Sequence, residues 1–159
     1  MTVENIKLKL DLQPHPEGGW YKETYRSAET LLTPEGNERN VSTAIYFLLE
    51  NEDISHFHRI KSDEIWHFHA GAAIDIFIIE NNELKIMKLG NDLLAGEKPQ
   101  IIVPANSWFA AQLHDAKGYG LVSCTVAPGF DFNDFELATK EIFEKQGIIT
   151  DRNMTHFIL

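Results

Sequence analysis

Nine short apolar runs, none longer than nine residues, fill the middle of this 159-residue chain, and that brevity limits what it can fold into. They cover 20–27, 41–49, 54–59, 64–69, 73–80, 83–88, 100–103, 107–113 and 119–127, and β-branched and aromatic residues dominate them. Short runs of that composition, bounded by turn residues, read as strands. Turn residues separate them: Pro34-Glu35-Gly36-Asn37, Gly90-Asn91-Asp92, and the stretch from His114 to Gly118. Between the runs at 73–80 and 83–88 stands Asn81-Asn82, a tight hairpin signal because asparagine tolerates a left-handed backbone. Helical patterns occur only at the ends. Thr2 can cap a first helix whose Val3, Ile6 and Leu10 share a face, with Pro14 and Pro16 stopping it. A second is expected from Asn133, with Glu136 completing a capping box, as far as Gly147. Short strands with helices only at the termini point to an all-β sandwich or barrel, one domain over residues 1–159.

Composition narrows the function classes. The chain is 43% hydrophobic, enough for a core, and its formal net charge of −10 with scattered basic residues argues against a nucleic-acid partner. Cys124 is the only cysteine, so no internal disulfide can form, and its setting in LVSCTV reads as core rather than nucleophile. No stretch approaches the ~18 apolar residues of a membrane span, and the first ten residues mix acids with lysines unlike a signal peptide. The expectation is a cytoplasmic protein with no membrane partner.

The densest chemistry lies in SHFHRIKSDEIWHFHAG, from Ser55 to Gly71, which holds four of the seven histidines. Strand alternation puts His56 and His58 on one face with Phe57 opposite. Past the turn at Lys61-Ser62-Asp63, Glu64, Trp66 and Phe68 share a face while Ile65, His67 and His69 take the other. If His56 and His58 look into a cavity, Glu64 is the acid placed to join them, and His67 and His69 serve the outer face through packing, hydrogen bonds or a subunit interface.

These residues resemble the cupin superfamily. His56-x-His58, Glu64 and Gly71 are similar to its first motif, G-x5-H-x-H-x3–4-E-x6-G, with one extra residue before the glutamate and no leading glycine. Pro104-Ala105-Asn106-Ser107-Trp108-Phe109 resembles the second, P-x-G-x-x-H, with Asn106 for the glycine and Phe109 where the third histidine ligand would stand. LDLQPHPEGGWYKETYRS, HRIKSDEIWHFHAG and SCTVAPGFDFNDFELA resemble a subfamily of PHPEGG-containing cupins often labelled sugar-epimerase-like. The resemblance implies a double-stranded β-helix, the cupin jelly-roll barrel, with short N- and C-terminal helices, and commonly a homodimer. It implies no single reaction, because one fold hosts enzymes and binding proteins alike.

A barrel mouth with aromatic walls and a few convergent polar groups is a usual ligand site. The expected walls are Trp66, Phe68, Trp108 and Phe109, and the expected polar groups are His56, His58, Glu64, Arg59 and Arg26. Glu17, in Pro16-Glu17-Gly18-Gly19, either lines that pocket or only fixes a turn, and Arg26 either binds an anion or forms a surface ion pair. Proton transfer beside a carbonyl, as in an epimerase or isomerase acting on a sugar or sugar nucleotide, would use His58 as base, Glu64 to orient it, and a tyrosine acid among Tyr21, Tyr46 and Tyr119. A metal-dependent cupin oxygenase or isomerase would use His56, His58 and Glu64 as a facial triad. A non-enzymatic binder of a small polar or sugar-like ligand is the third reading. Phe109 offers no lone pair, so no tightly bound metal is expected; a divalent metal is the one cofactor left open, held weakly by His56, His58 and Glu64.

Overall fold

The computed structural model of the chain describes residues 2–148 and 154–159. Its strands are β1 (Gln13–Pro14), β2 (Trp20–Arg26), β3 (Thr30–Leu32), β4 (Glu38–Asn40), β5 (Thr43–Glu50), β6 (Ile54–Arg59), β7 (Asp63–Gly71), β8 (Ile74–Glu80), β9 (Glu83–Leu89), β10 (Gln100–Val103), β11 (Trp108–Leu113), β12 (Tyr119–Ala127) and β13 (Glu136–Leu137). All nine apolar runs became strands, and those at 54–59, 100–103 and 119–127 did so without any shift of boundary. Strands β1, β3, β4 and β13 are additions. Each has only two or three residues, too few for an alternation to show.

Two antiparallel sheets face each other, six strands in the order β1-β2-β5-β12-β7-β10 and five in the order β13-β6-β11-β8-β9. This is the expected all-β jelly-roll architecture. The central core fills the gap between the sheets, with Phe47, Trp66, Ile76, Phe109 and Val122 among its fully buried members. The helix α1 (Val3–Leu10) lies on the outer face of the six-stranded sheet, where Ile6 and Leu12 pack with Leu48, Tyr46 and Tyr119. Thr2 caps it by accepting from the Asn5 amide, as expected. On the outer face of the five-stranded sheet, α2 (Lys140–Lys145) brings Phe143 against Phe57 and Trp108.

The second helix starts later than expected. Asp131, not Asn133, caps a single 3-10 turn at Phe132–Asp134. Residues Glu136–Leu137 then pair with Arg59 and His58 of β6, so the expected capping box is consumed by a sheet edge. Thr139 caps α2 instead, and Gly147 follows its end with φ +67°. At the β8–β9 hairpin, Asn81 and Asn82 are both left-handed, φ +52° and +62°, as that two-residue turn requires. Asn106 has φ +64°, which accounts for asparagine in the place of the motif glycine. Among the described residues, no helix is long and apolar enough to cross a membrane.

Candidate active site

A cavity of about 480 Å³ opens between the sheets, lined by residues of β2, β5, β6, β7 and β12 and by the segment around Phe130, Phe132 and Phe135. Strand parity supplies its walls. In β5, Thr43, Ile45 and Phe47 turn inward, and in β7 Glu64 and Trp66 do the same. His67 and His69 face outward and bond the hydroxyls of Thr125 and Ser123 on the neighbouring strand, as the alternation predicts.

In β6 the alternation breaks. Phe109 pairs with His58 and Ala111 with Ser55, two residues on β11 against three on β6, so β6 carries a bulge. Ser55 and His58 both reach the side chain of Glu17, while His56 turns to that residue's backbone: its Nδ1 donates to the Glu17 carbonyl at 2.7 Å. His56 is therefore not in the cavity wall, contrary to expectation. It fastens the loop that carries Glu17.

That loop is the PHPEGG segment. The His15 amide bonds the Gly19 carbonyl, the Gly18 amide bonds the His15 carbonyl, and the His56 amide bonds the Glu17 carbonyl. Gly18 has φ +111°, and a Cβ there would stand 1.9 Å from the Ile54 carbonyl oxygen, so only glycine lets the loop seat on β6. The seating drives Glu17 inward to 6% exposure. Glu17 therefore does more than fix a turn: its backbone fastens the loop and its side chain lines the cavity.

Glu17 is the hub of the polar floor. Its Oε1 accepts from Ser55 Oγ at 2.7 Å, and its Oε2 lies 3.0 Å from His58 Nε2 and 3.4 Å from His15 Nδ1. Burial pushes the Glu17 carboxyl well above the usual carboxylate range, and the nearby Glu64 charge pushes it the same way. His58 is driven down to about 3, chiefly by burial, and His15 to about 4 for the same reason. His58 is thus a neutral imidazole far from neutrality in its titration, not the near-neutral base expected, and its partner is Glu17 rather than Glu64. His15 and Ser55 escaped the sequence reading; His15 lay within the PHPEGG string, but nothing local showed that the loop folds inward.

Glu64 stands on the opposite sheet, 8% exposed, and burial raises its pKa to about 7. The Cys124 thiol and Trp66 indole lie against the carboxyl and favour its ionised form without outweighing burial. Cys124 itself is pushed far up by burial and the neighbouring carboxyls, so it stays a thiol, in keeping with a non-nucleophilic role. Trp66 Nε1 meets no partner in hydrogen-bonding geometry, leaving a buried donor at the cavity wall. The extra residue before Glu64 is absorbed in the β6–β7 turn, where Asn106 N bonds the Ile60 carbonyl and Ala105 N bonds Asp63.

Other expected wall residues lie elsewhere. Trp108 is on the outer side of β11, where it donates to Gln146 and takes the Arg59 guanidinium over its ring at 4.4 Å. Arg59 also pairs with Glu136, so both belong to the sheet's outer surface by strand parity. Phe109 is wholly buried behind His58, ring centroids 4.1 Å apart, and supports that imidazole instead of meeting a ligand. Phe68 packs against the core beyond the cavity. Arg26 does reach the rim, ion-paired with Glu23 and bonded to Asn40 and the Phe130 carbonyl. Of the three tyrosines, Tyr21 lines the cavity, whereas Tyr46 and Tyr119 pack under α1.

The donor set does not suit the metal centre the motif suggests. His56 is diverted to backbone, His58 is engaged by Glu17, and Phe109 has no lone pair. Among the described residues, no three His, Cys, Asp or Glu side chains are arranged to hold a metal ion.

Residues 4–138 match the family model described as "Cupin superfamily (DUF985)". The chain belongs to that family. The cupin is 34% identical over 147 residues to the uncharacterized protein YML079W of Saccharomyces cerevisiae, covering 84% of this chain and 73% of the yeast protein. Among solved structures it is similar to a hypothetical protein from Leishmania major, with TM-score 0.84, 37% identity, and 92% and 93% of the two chains covered. Protein SO0799 from Shewanella oneidensis matches at TM-score 0.82 and 40% identity over 91% and 89%. A variant of oxalate decarboxylase from Bacillus subtilis superposes at TM-score 0.57 and 16% identity over 87% of this chain and 36% of that one, a likeness of fold alone.

Proposed function

We propose that the cavity is the active site of an epimerase or isomerase that moves a proton on a small, uncharged, sugar-like carbonyl compound. The observation that carries this reading is Glu64, a buried carboxyl with a pKa of about 7 at the wall of an aromatic cavity. A group that titrates near neutrality is matched to accepting a proton from carbon and returning it. The Trp66 indole lies against this carboxyl and helps to hold it at the cavity wall. Tyr21, Phe47 and Phe132 offer apolar faces to a sugar ring.

Charge narrows the substrate. The cations at the cavity are Lys22 and Arg26, and each is already paired, with Asp11 and Glu23. Asp131 adds another acid at the rim. A diphosphate would meet no uncommitted cation there, so an unphosphorylated sugar fits better than a sugar nucleotide. Incubation in heavy water with ketoses such as D-fructose, followed by proton NMR, is expected to show loss of the proton next to the carbonyl. A sugar nucleotide is expected to exchange more slowly. Ligand binding without exchange across the panel would replace this reading by that of a binding protein.

The cupin is also expected to work as a homodimer. β1 covers β2 only at Trp20 and Tyr21, leaving the outer edge from Lys22 to Arg26 available to a second copy. Tyr25 on that strand and Ile102 on β10 are each more than half exposed. Light scattering should report about twice the 18.1 kDa chain mass, and a monomer at micromolar concentration would end this expectation.

A further inference from the structure

The sequence left the acid partner of the reaction unassigned among three tyrosines, and the hydrogen-bond directions around Glu17 point to a different group. His58 Nδ1 lies 2.7 Å from the His56 carbonyl oxygen, which can only accept, so Nδ1 carries the ring hydrogen. A neutral His58 then presents the lone pair of Nε2 to Glu17 Oε2 at 3.0 Å. Two lone pairs cannot face each other at that distance, so one proton must lie between them. His15 settles its side. The Glu17 backbone N–H donates to His15 Nδ1 at 3.2 Å, so this nitrogen is also a bare acceptor, and it faces the same Oε2 at 3.4 Å. An oxygen flanked by two acceptor nitrogens is stable as a hydroxyl and repelled as an anion. The other oxygen, Oε1, accepts from Ser55 and behaves as the carbonyl of a carboxylic acid. In a carboxylate–imidazolium pair the Ser55 hydroxyl would favour the carboxylate and the His56 carbonyl the imidazolium, but burial, the larger effect on each, favours the neutral forms of both.

We infer that Glu17 is held as a neutral carboxylic acid, hydrogen-bonded to His58, and that it is the catalytic proton donor of the cavity, with His58 as its positioning residue. The donor role rests on the reaction proposed above; the protonation state does not. The groups are delivered from opposite sides, since Ser55, His56 and His58 on β6 anchor Glu17 to the five-stranded sheet while Glu64 stands on β7 of the other. In the reaction the substrate C–H bond breaks, its electron pair moves into the adjacent carbonyl, and the proton goes to Glu64. The pair returns to carbon as a new C–H bond forms with the Glu17 proton. The substrate is isomerised with no change in oxidation state and Glu64 ends protonated; Glu17 ends transiently ionised between two acceptor nitrogens, which favours its reprotonation, and exchange with solvent after product release restores both groups.

Glu17→Gln tests this with little disturbance, because a side-chain amide can donate to His58 and accept from Ser55 in the same positions. Infrared spectra of wild type minus Glu17→Gln, at mildly alkaline pH where Glu64 is ionised, should show one protonated-carboxyl C=O band that shifts in heavy water. The same band should move in frequency in His58→Gln, where the acceptor of the Glu17 hydroxyl changes, an effect that loss of packing would not give. With D-fructose as probe, Glu17→Gln should melt near the wild-type temperature yet lose isomerisation by roughly 100-fold or more. A carboxylate band in place of the C=O band would overturn the protonation state. Wild-type turnover in a folded Glu17→Gln, or a wild type that never turns over, would overturn the donor role, and only the second of these would also remove the proposed reaction.

Discussion

Glu64→Gln is expected to abolish proton exchange and at the same time to stabilise the protein above neutral pH. Loss of the base should lower the exchange rate by roughly 100- to 10,000-fold, the usual contribution of a positioned general base. In wild type, the same rate should rise with pH through about 7, where Glu64 becomes ionised. Stability runs the other way. The folded pKa of Glu64 lies above the ordinary glutamate value of 4.5, so between pH 4.5 and 7 the folded protein binds more protons than the unfolded chain. Wherever the folded state holds the extra proton, stability falls as pH rises. A gap of that size corresponds to about 3 kcal/mol, fully lost above pH 7. Glutamine cannot ionise, so the variant should escape this loss and unfold at higher urea concentration than wild type at alkaline pH, with little difference below pH 4.5. Glu17, raised in the same direction, leaves a residual slope of the same sign. A variant that is inactive and also less stable at alkaline pH would show that Glu64 is an ionised structural carboxylate, and would remove it as the base.

Gly18→Ala should be among the most damaging single-methyl changes in the chain. The added carbon would stand 1.9 Å from a backbone oxygen, which cannot swing aside as a side chain could, and the residue's φ of +111° disfavours any side chain. The loop must lift from β6, breaking the His56–Glu17 backbone pairing and withdrawing Glu17 from His58. A loss on the order of 3 kcal/mol or more is expected, together with loss of the infrared signature of Glu17. Gly36→Ala is the control. Gly36 has φ +83° but open space around it, so only the backbone cost of about 1–2 kcal/mol applies. Urea denaturation of the two variants separates contact from conformation, and equal losses would mean that the loop is not seated as described.

Strand positions were legible because the segments are short, rich in β-branched and aromatic residues and bounded by turns, and a two-residue period is clear in β7, β8 and β12. The same period separated Glu64 and Trp66 from His67 and His69, and it named His58 as an inward group. Where that period fails, so did the reading. A one-residue bulge in β6 diverts His56, brings Ser55 to Glu17, and leaves unassembled the facial triad of the alternative, metal-dependent reading. Arg59 and Trp108 were expected inside although both lie on the outer face of the five-stranded sheet, the guanidinium over the indole and Phe143 of α2 against Trp108, a contact too distant along the chain for local pattern to report. Phe109 had been identified as the residue that breaks the ligand set, yet its contact with the back of His58 depends on the pairing of β11 with β6. The composition and spacing of this sequence determine strands, turns and an all-β sandwich or barrel, because those follow from local pattern and backbone preference, and the resemblance of its motifs to cupins narrowed that to a jelly roll. The site was decided by tertiary structure. Burial sets the proton on Glu17, the neutrality of His58 and the titration of Glu64 near 7, and burial belongs to no residue until both sheets have closed around it.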